Sequence, residues 1–368
     1  MIPSSTCNND DDQTNSQNHF ALFDIDEVSV GEKLGSGGFC NVHKVRGFHL
    51  HGRRNSKIKC PNQQERDQLT KSCQNVAIKF LKKEFLKDLD RFDEAAQDLE
   101  FEADVLSQLT HPHILKILGW AAGGFDAYFD LNRHDAYFIL MERLQKNLAM
   151  RIEEWKEMSV AAGPSTLTET NLSLEKLQIA RDIASALEYL HDKGYIFRDL
   201  KPENIGLDSQ SRGKLFDFGL SRRMPEGDMD DEFEMSGMTG TTRYMAPEVF
   251  ERKPYNTKAD VYSFAHVLWE MLALEKPYEG YTNAEHKQET VLKEHRPNLD
   301  PSWPLGIQKL LSRSWHRDMA ERPTMKEVCT ILEMEIAVLQ AERLSLVTCA
   351  PKEATRLSKQ QSLASGAA

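Results

Sequence analysis

Phe197-Arg198-Asp199-Leu200-Lys201-Pro202-Glu203-Asn204, followed thirteen residues later by Asp217-Phe218-Gly219, is the stretch that decides the reading of this chain. It comes just after a helix stop at Gly194 and leads into a short apolar run, so it reads as a loop. Within six residues it gathers an acid, a lysine and an amide. An acid there can accept a hydroxyl proton, a lysine can neutralise a transferring phosphoryl group, and an asparagine can ligate a metal. A polar turn with a local Arg–Asp pair would use the same residues. Asp217, an acid between apolar neighbours, suits a hard cation, with magnesium and phosphate as the natural company.

Upstream, β-like alternation from Asp26 to Arg46 is broken by glycines, which predicts two antiparallel strands and a glycine-rich turn. The turn is Leu34-Gly35-Ser36-Gly37-Gly38-Phe39-Cys40-Asn41-Val42. Glycines let backbone N–H groups approach phosphates closely, although a plain hairpin turn looks the same in isolation. Asn75 to Leu81 reads as a strand carrying Val76-Ala77-Ile78-Lys79. A lysine on an apolar strand either snorkels or finds an anion. Phe92 to Leu109 reads as a helix ended by His111-Pro112, and its Glu102 is the candidate partner for Lys79. Glu94, Asp98 and Glu100 read as surface charges. Ile114 to Trp120 and Tyr137 to Met141 are short strands.

The rest is helical. Leu174 to His191 has a one-sided apolar stripe. Ala259 to Ala273 is apolar on nearly every face, the mark of a centrally buried helix. Met325 to Leu346 is the last helix. Ala246-Pro247-Glu248 and Arg322-Pro323 offer a structural ion pair, Glu248 with Arg322. Sheet first and helices after give an α+β chain, with a cleft expected between two lobes. The six cysteines are scattered without a C-x-x-C, which points to reduced thiols rather than a zinc site or a disulfide framework.

Composition fits a globular protein. Of 368 residues, 40% are hydrophobic and 28% charged, enough apolar material for a full core. A net charge of -11 argues against nucleic acid or anionic lipid as a partner. No 18-residue apolar run occurs, so no membrane span is expected. The N-terminus lacks the features of a secretory signal. A cytoplasmic location follows as the expectation. Residues 1–22 and 351–368 read as disordered tails. Residues 51–74 read as a solvated basic insertion.

Taken together, the motifs resemble the eukaryotic protein kinase superfamily, from about Val28 to Val338. Their order and spacing match its glycine-rich loop, strand lysine, helix glutamate, catalytic loop, metal-binding triplet and closing A-P-E. The resemblance implies a two-lobed fold: a kinase domain over 28–338, with a small antiparallel N-lobe over 28–141 holding one main helix and the insertion at 51–74. A hinge at 142–144 and a larger, mostly α C-lobe over 145–338 follow. Residues 339–368 are left for the helix end and tail.

By the same resemblance the cofactors are ATP and magnesium. Leu34, Gly35, Ser36, Gly37, Gly38, Val42 and Ala77 would enclose the nucleotide, and Lys79, paired with Glu102, would hold its phosphates. Met141 resembles a gatekeeper, and Glu142 and Leu144 would supply hinge backbone groups to the adenine. Asp199 would act as base, Lys201 would steady the γ-phosphate, and Asn204 with Asp217 would hold magnesium.

Lys201 and Thr241 are similar to the serine/threonine class. Asp260-Val261-Tyr262-Ser263-Phe264 is similar to the tyrosine-kinase-like branch. The implied partners are protein substrates with Ser or Thr acceptors and an upstream kinase. Arg198 resembles the arginine of kinases whose activation loop is ordered by phosphorylation, with Ser236, Thr239 and Thr242 as candidate acceptors. Three positions depart from the pattern: Phe197 for histidine, Cys40 for the third glycine, and Ala265 for glycine. None removes a reacting group. A catalytically weak kinase-like scaffold is the alternative that these departures keep open.

Overall fold

Val76-Ala77-Ile78-Lys79-Phe80-Leu81 is apolar on both faces, and the chain uses it as an inner strand, buried at every position but Lys79. The structure, a computed structural model, describes residues 20–49, 62–124, 126, 128, 133–162, 166–227 and 231–349. The strands of its main sheet are β1 (Ala21–Phe23), β2 (Val28–Ser36), β3 (Cys40–Phe48), β4 (Val76–Leu81), β5 (Ile117–Ala121) and β6 (Phe138–Glu142). They lie in the order β1-β5-β6-β4-β3-β2. β2 and β3 are the expected glycine hairpin, and the Gly37 amide closes the turn on the Cys40 carbonyl at 2.9 Å.

The first long helix, α2 (Leu89–Gln108), starts before the predicted Phe92. Asp88 caps it by accepting from the Arg91 amide at 3.3 Å, satisfying one of the first-turn donors. Phe92, Ala95, Ala96, Leu99, Ala103 and Leu106 form its buried stripe, and Glu102 lies on that stripe. Residues three and four apart share a helix face, so Glu102 is buried with them.

The chain divides into two compact units. One takes residues up to Leu148 and Tyr189–Asp228; the other takes Ala149–Glu188 and the chain from Met229. Besides the main sheet, the first unit holds two small ones. Strands β7 (Lys146–Asn147), β9 (Ile205–Leu207) and β10 (Gly213–Leu215) form one, in the order β10-β9-β7, and β8 (Tyr195–Ile196) pairs with β11 (Arg222–Arg223) in the other.

Two expectations need correcting. The N-terminal tail was expected to be disordered through residue 22, yet Ala21–Phe23 is strand β1, parallel to β5. Ala21 and Phe23 are fully buried, and that burial offsets the cost of ordering a short segment. The insertion at 51–74 is not a loop throughout. Gln63–Lys71 forms helix α1, capped by Asn62, which accepts from the Glu65 amide at 3.1 Å. Residues 1–19, 50–61 and 350–368 lie outside the described residues, so the tail readings there and the first part of the insertion do too.

The remaining long helices are α3 (Leu148–Ala162), α4 (Thr166–Asp192), α5 (Lys258–Ala273), α6 (Leu305–Ser314) and α7 (Met325–Cys349). α4 begins before the predicted Leu174, and its first turns, largely polar, give the sequence no clear stripe from which to place the start. α5 is buried from Ala259 to Met271, as its all-round apolar sequence requires. Its polar residues are satisfied. Ser263 donates to the Tyr244 carbonyl at 2.8 Å, and Glu270 accepts from the Tyr244 hydroxyl at 2.7 Å. Burial pushes the His266 imidazole down to about 3, with hydrogen bonds to the Tyr262 carbonyl and the Tyr278 hydroxyl at 3.0 Å each.

Candidate active site

Strand register places the first group of candidates. Val42 lies opposite Lys79, and Ala77 opposite Met141. Directly paired residues, and residues two apart on one strand, share a sheet face. Val42, Ala77, Lys79 and Met141 therefore line one face of the main sheet. The Lys79 ammonium donates to the Glu102 carboxylate in a buried ion pair. Burial works against the Lys79 charge, but Glu102, with further help from Asp217, more than offsets it and holds the lysine above its ordinary range. The ammonium is thus held in place and favoured in its charged form.

Glycines 35, 37 and 38 have no role in packing. A Cβ at Gly35 or Gly38 would meet nothing within 4 Å, and one at Gly37 only the Cys40 carbonyl at 4.0 Å. None of the three has a left-handed φ. Neither contact nor a left-handed backbone demands glycine there. Leu34 beside them is exposed, and Ser36 donates to Asn41 Oδ1 at 3.0 Å.

The decisive loop follows β8. Asp199 Oδ2 accepts from Lys201 Nζ at 2.6 Å and from Asn204 Nδ2 at 3.0 Å, while Asn204 Nδ2 also reaches the Asp199 carbonyl at 2.9 Å. These bonds fix the rotation of the carboxylate. They also turn the Asn204 amide so that its nitrogen is engaged and its oxygen faces elsewhere. Asp217 is bracketed on both sides: the Phe216 amide donates to the Asn204 carbonyl at 3.1 Å, and the Phe218 ring stands edge-on to Phe197 with centroids 5.1 Å apart. The aromatic at 197 therefore fills its place by packing. Arg198 and Asp217 have φ of 70° and 66°, a left-handed backbone that costs a non-glycine residue about 1–3 kcal/mol. Arg198 Nε donates to the Leu220 carbonyl at 2.6 Å.

At the expected hinge, Glu142 is more constrained than its position alone implies. Its carboxylate accepts from Lys214 Nζ at 2.9 Å and from the Lys116 amide at 2.8 Å. Nothing in the sequence near Lys214 signals that partnership, which arises from the apposition of β6 and β10. The Arg143 and Gln145 amides are both spent, on the Asn75 and Leu207 carbonyls at 2.8 Å each. Leu144 lies between them against Gly206, where a Cβ would come within 2.1 Å of its side chain.

Ser236, Thr239 and Thr242 belong to the second unit. Thr239 donates to the Ser236 carbonyl at 3.0 Å, the Tyr255 hydroxyl donates to the same carbonyl at 2.9 Å, and Thr242 begins a short helical turn. No group of three or more His, Cys, Asp or Glu side chains converges among the described residues. A magnesium held by one carboxylate, one amide oxygen and substrate phosphates needs none.

Cys40 is buried at the start of β3, and burial pushes its thiol up to about 12, against the pull of Lys79. The thiolate is the reactive form, so Cys40 is expected to resist iodoacetamide at pH 8 in the folded protein while denatured chain is alkylated at once. Mass spectrometry after timed quenching checks this; rapid native labelling at residue 40 would contradict it.

Comparison with known proteins bears on the whole domain. The model of the protein tyrosine and serine/threonine kinase family matches residues 28–332. Serine/threonine/tyrosine-protein kinase HT1 of Arabidopsis thaliana is 32% identical over 84% of this chain and 67% of its own. Serine/threonine-protein kinase VIK of the same plant is 33% identical over 64% of this chain and 50% of its own. Serine/threonine-protein kinase mos of Patiria pectinifera is 33% identical over 61% and 60%. The chain thus spans about two thirds of the first of these relatives and a half to three fifths of the other two. No helix among the described residues is long and apolar enough to cross a membrane.

Proposed function

The chain belongs to the protein tyrosine and serine/threonine kinase family, its domain resembling serine/threonine kinases, and from that premise we propose that it transfers the γ-phosphate of ATP to serine and threonine hydroxyls of protein substrates. The observation that carries this reading is the oriented acid: Asp199, its Oδ2 clasped by Lys201 and Asn204. A carboxylate of fixed rotation accepts the proton of an incoming hydroxyl without first paying to become ordered.

Lys201, already beside that acid, neutralises charge on the phosphoryl group as it leaves the nucleotide. Lys79, kept charged by Glu102, binds the α- and β-phosphates. Gly35, Gly37 and Gly38 bring backbone amides against the phosphates, with Leu34 and Ser36 flanking them. Val42, Ala77 and Met141 give the adenine an apolar wall. The Glu142 and Leu144 backbone groups are assigned to its polar edge.

Asn204 Oδ1 and the Asp217 carboxylate are hard oxygen donors, which is the donor set magnesium prefers. Magnesium, when bound, supplies neutralisation of phosphate charge. Phosphorylation at Ser236, Thr239 or Thr242, with Arg198 in the responding machinery, is the regulation this reading carries.

The test is transfer of labelled γ-phosphate from Mg-ATP to a mixed set of Ser, Thr and Tyr peptides, before and after phosphatase treatment of the chain. Label on Ser and Thr peptides, abolished by EDTA, is the expected result. Absence of transfer to any peptide, both before and after phosphatase treatment, would overturn the proposal.

A further inference from the structure

We infer that Arg66, in the insertion between β3 and β4, is a positioning residue for the Lys79–Glu102 pair, acting by pinning strand β1 to the edge of the sheet. The inference rests on the assignment of that pair to nucleotide binding.

Arg66 comes from a helix whose residues, Leu69 apart, are all polar, yet it is 3% exposed. Its guanidinium does three things, all to one segment. It donates to the Leu22 carbonyl within β1, donates to Glu27 Oε1 at 2.6 Å, and lies over the Phe23 ring at 4.5 Å. Glu27 Oε2 accepts from the Asp24 amide at 2.9 Å, so its carboxylate is shared between the insertion and the turn after β1. A planar, multiply donating cation buried against one short strand is a clamp, a task a point-charge lysine performs less well.

The sheet is built to receive that strand. Gly119 of β5 faces Ala21, and a Cβ there would stand 2.7 Å from the Ala21 carbonyl. Residue 119 is therefore free of a side chain where β1 makes its closest approach. β1 also pairs the outer side of β5 and leaves a three-residue strand as the sheet edge.

From Phe20, next to β1, a line of ring contacts reaches α2. Phe20, adjoining β1, stands edge-on to Trp120 at 5.7 Å. Trp120 neighbours Tyr137 at 6.5 Å, Tyr137 neighbours Tyr128 at 5.7 Å, and Tyr128 meets Phe92 of α2 at 5.0 Å. Phe20 helps line a cavity of about 330 Å³ together with Leu106 and Leu109 at the C-terminal end of α2 and Ile117 of β5. Glu102 lies on α2 between Phe92 and these cavity-lining residues. A segment whose Phe20 reaches the N-terminal part of α2 through packed rings limits where the helix can sit, and so where Glu102 holds Lys79. Contact alone does not establish coupling; a measured change at the far end does.

The full chain is compared with Arg66→Lys, Phe20→Ala and the charge-neutral double variant Arg66→Met/Glu27→Gln, which leaves no unpaired buried charge. Two readouts are taken: KM for Mg-ATP against KM for a peptide, and deuterium uptake by amide groups. In the double variant, KM for Mg-ATP is expected to rise about tenfold while the peptide KM stays within about twofold. Exchange is expected to quicken across α2 but not across α5. Phe20→Ala gives the same pattern at smaller size, and Arg66→Lys recovers part of it.

A lower melting temperature with unchanged KM for Mg-ATP and unchanged α2 exchange would overturn the inference and leave Arg66 a structural residue only. If the parent chain binds no nucleotide, the kinetic arm fails with the functional proposal itself. The exchange arm still decides whether β1 holds α2.

Discussion

Asp199→Asn is expected to leave a folded chain that binds Mg-ATP with little change and to lower phosphotransfer by about 10²- to 10⁴-fold. The substitution is nearly isosteric, so the loop keeps its shape. Lys201 Nζ and Asn204 Nδ2 both donate toward the same carboxylate oxygen. An asparagine at 199 would turn its amide oxygen to them and its nitrogen away, and an amide nitrogen cannot accept a proton from the substrate hydroxyl. Single-turnover transfer from labelled ATP, alongside equilibrium nucleotide binding, separates chemistry from affinity. Retention of more than about a tenth of the parent rate would remove Asp199 from the role of base.

Arg322→Ala is expected to cost about 3–5 kcal/mol of stability, a large share of the roughly 5–15 kcal/mol that holds a typical domain together. Arg322 is 1% exposed and forms a two-pronged pair with Glu248, Nη1 to Oε1 at 2.7 Å and Nη2 to Oε2 at 2.9 Å. It also donates to the carbonyls of His316 at 2.8 Å and Lys258 at 3.0 Å, and lies over the Tyr262 ring at 5.1 Å. Truncation leaves the buried Glu248 carboxylate without its cationic partner. Arg322→Lys should recover little, because an ammonium cannot serve both carboxylate oxygens and the carbonyls at once. Urea unfolding followed by tryptophan fluorescence measures the loss. A change below about 1 kcal/mol would show that the pair contributes little to holding its unit together.

The candidate site was legible to different degrees in different places. Asp199, Lys201 and Asn204 lie within six residues, so one loop conformation brings them together and their sequence spacing already carries the geometry. Lys79 and Glu102 are 23 residues apart, but a strand of known alternation and a helix of known period left few acids able to face inward, and the structure selects Glu102. Glu248 and Arg322 are 74 residues apart and were paired in advance through the motifs they close. By contrast, the left-handed φ of Arg198 and Asp217 has no sequence signature, since non-glycine residues adopt it only when their surroundings force it. The clasp of Lys214 on Glu142 depends on strands brought together by the fold.

The amino-acid sequence by itself determined the α+β class, the inner strand, the buried helix α5 and the grouping of Asp199, Lys201 and Asn204 in one loop, because these follow from periodicity and short-range spacing. The tertiary structure alone decided what becomes of the chain's less patterned segments. Ala21–Phe23 is too short to show alternation, and Gln63–Lys71 has no apolar stripe. Each is held by partners far away in the chain: β1 by β5, and α1 by the ion pair from Arg66 to Glu27, 39 residues back. Local pattern records only what a segment can do alone. A three-residue strand and a polar helix gain their stability from burial and pairing that exist only once the rest of the sheet has formed.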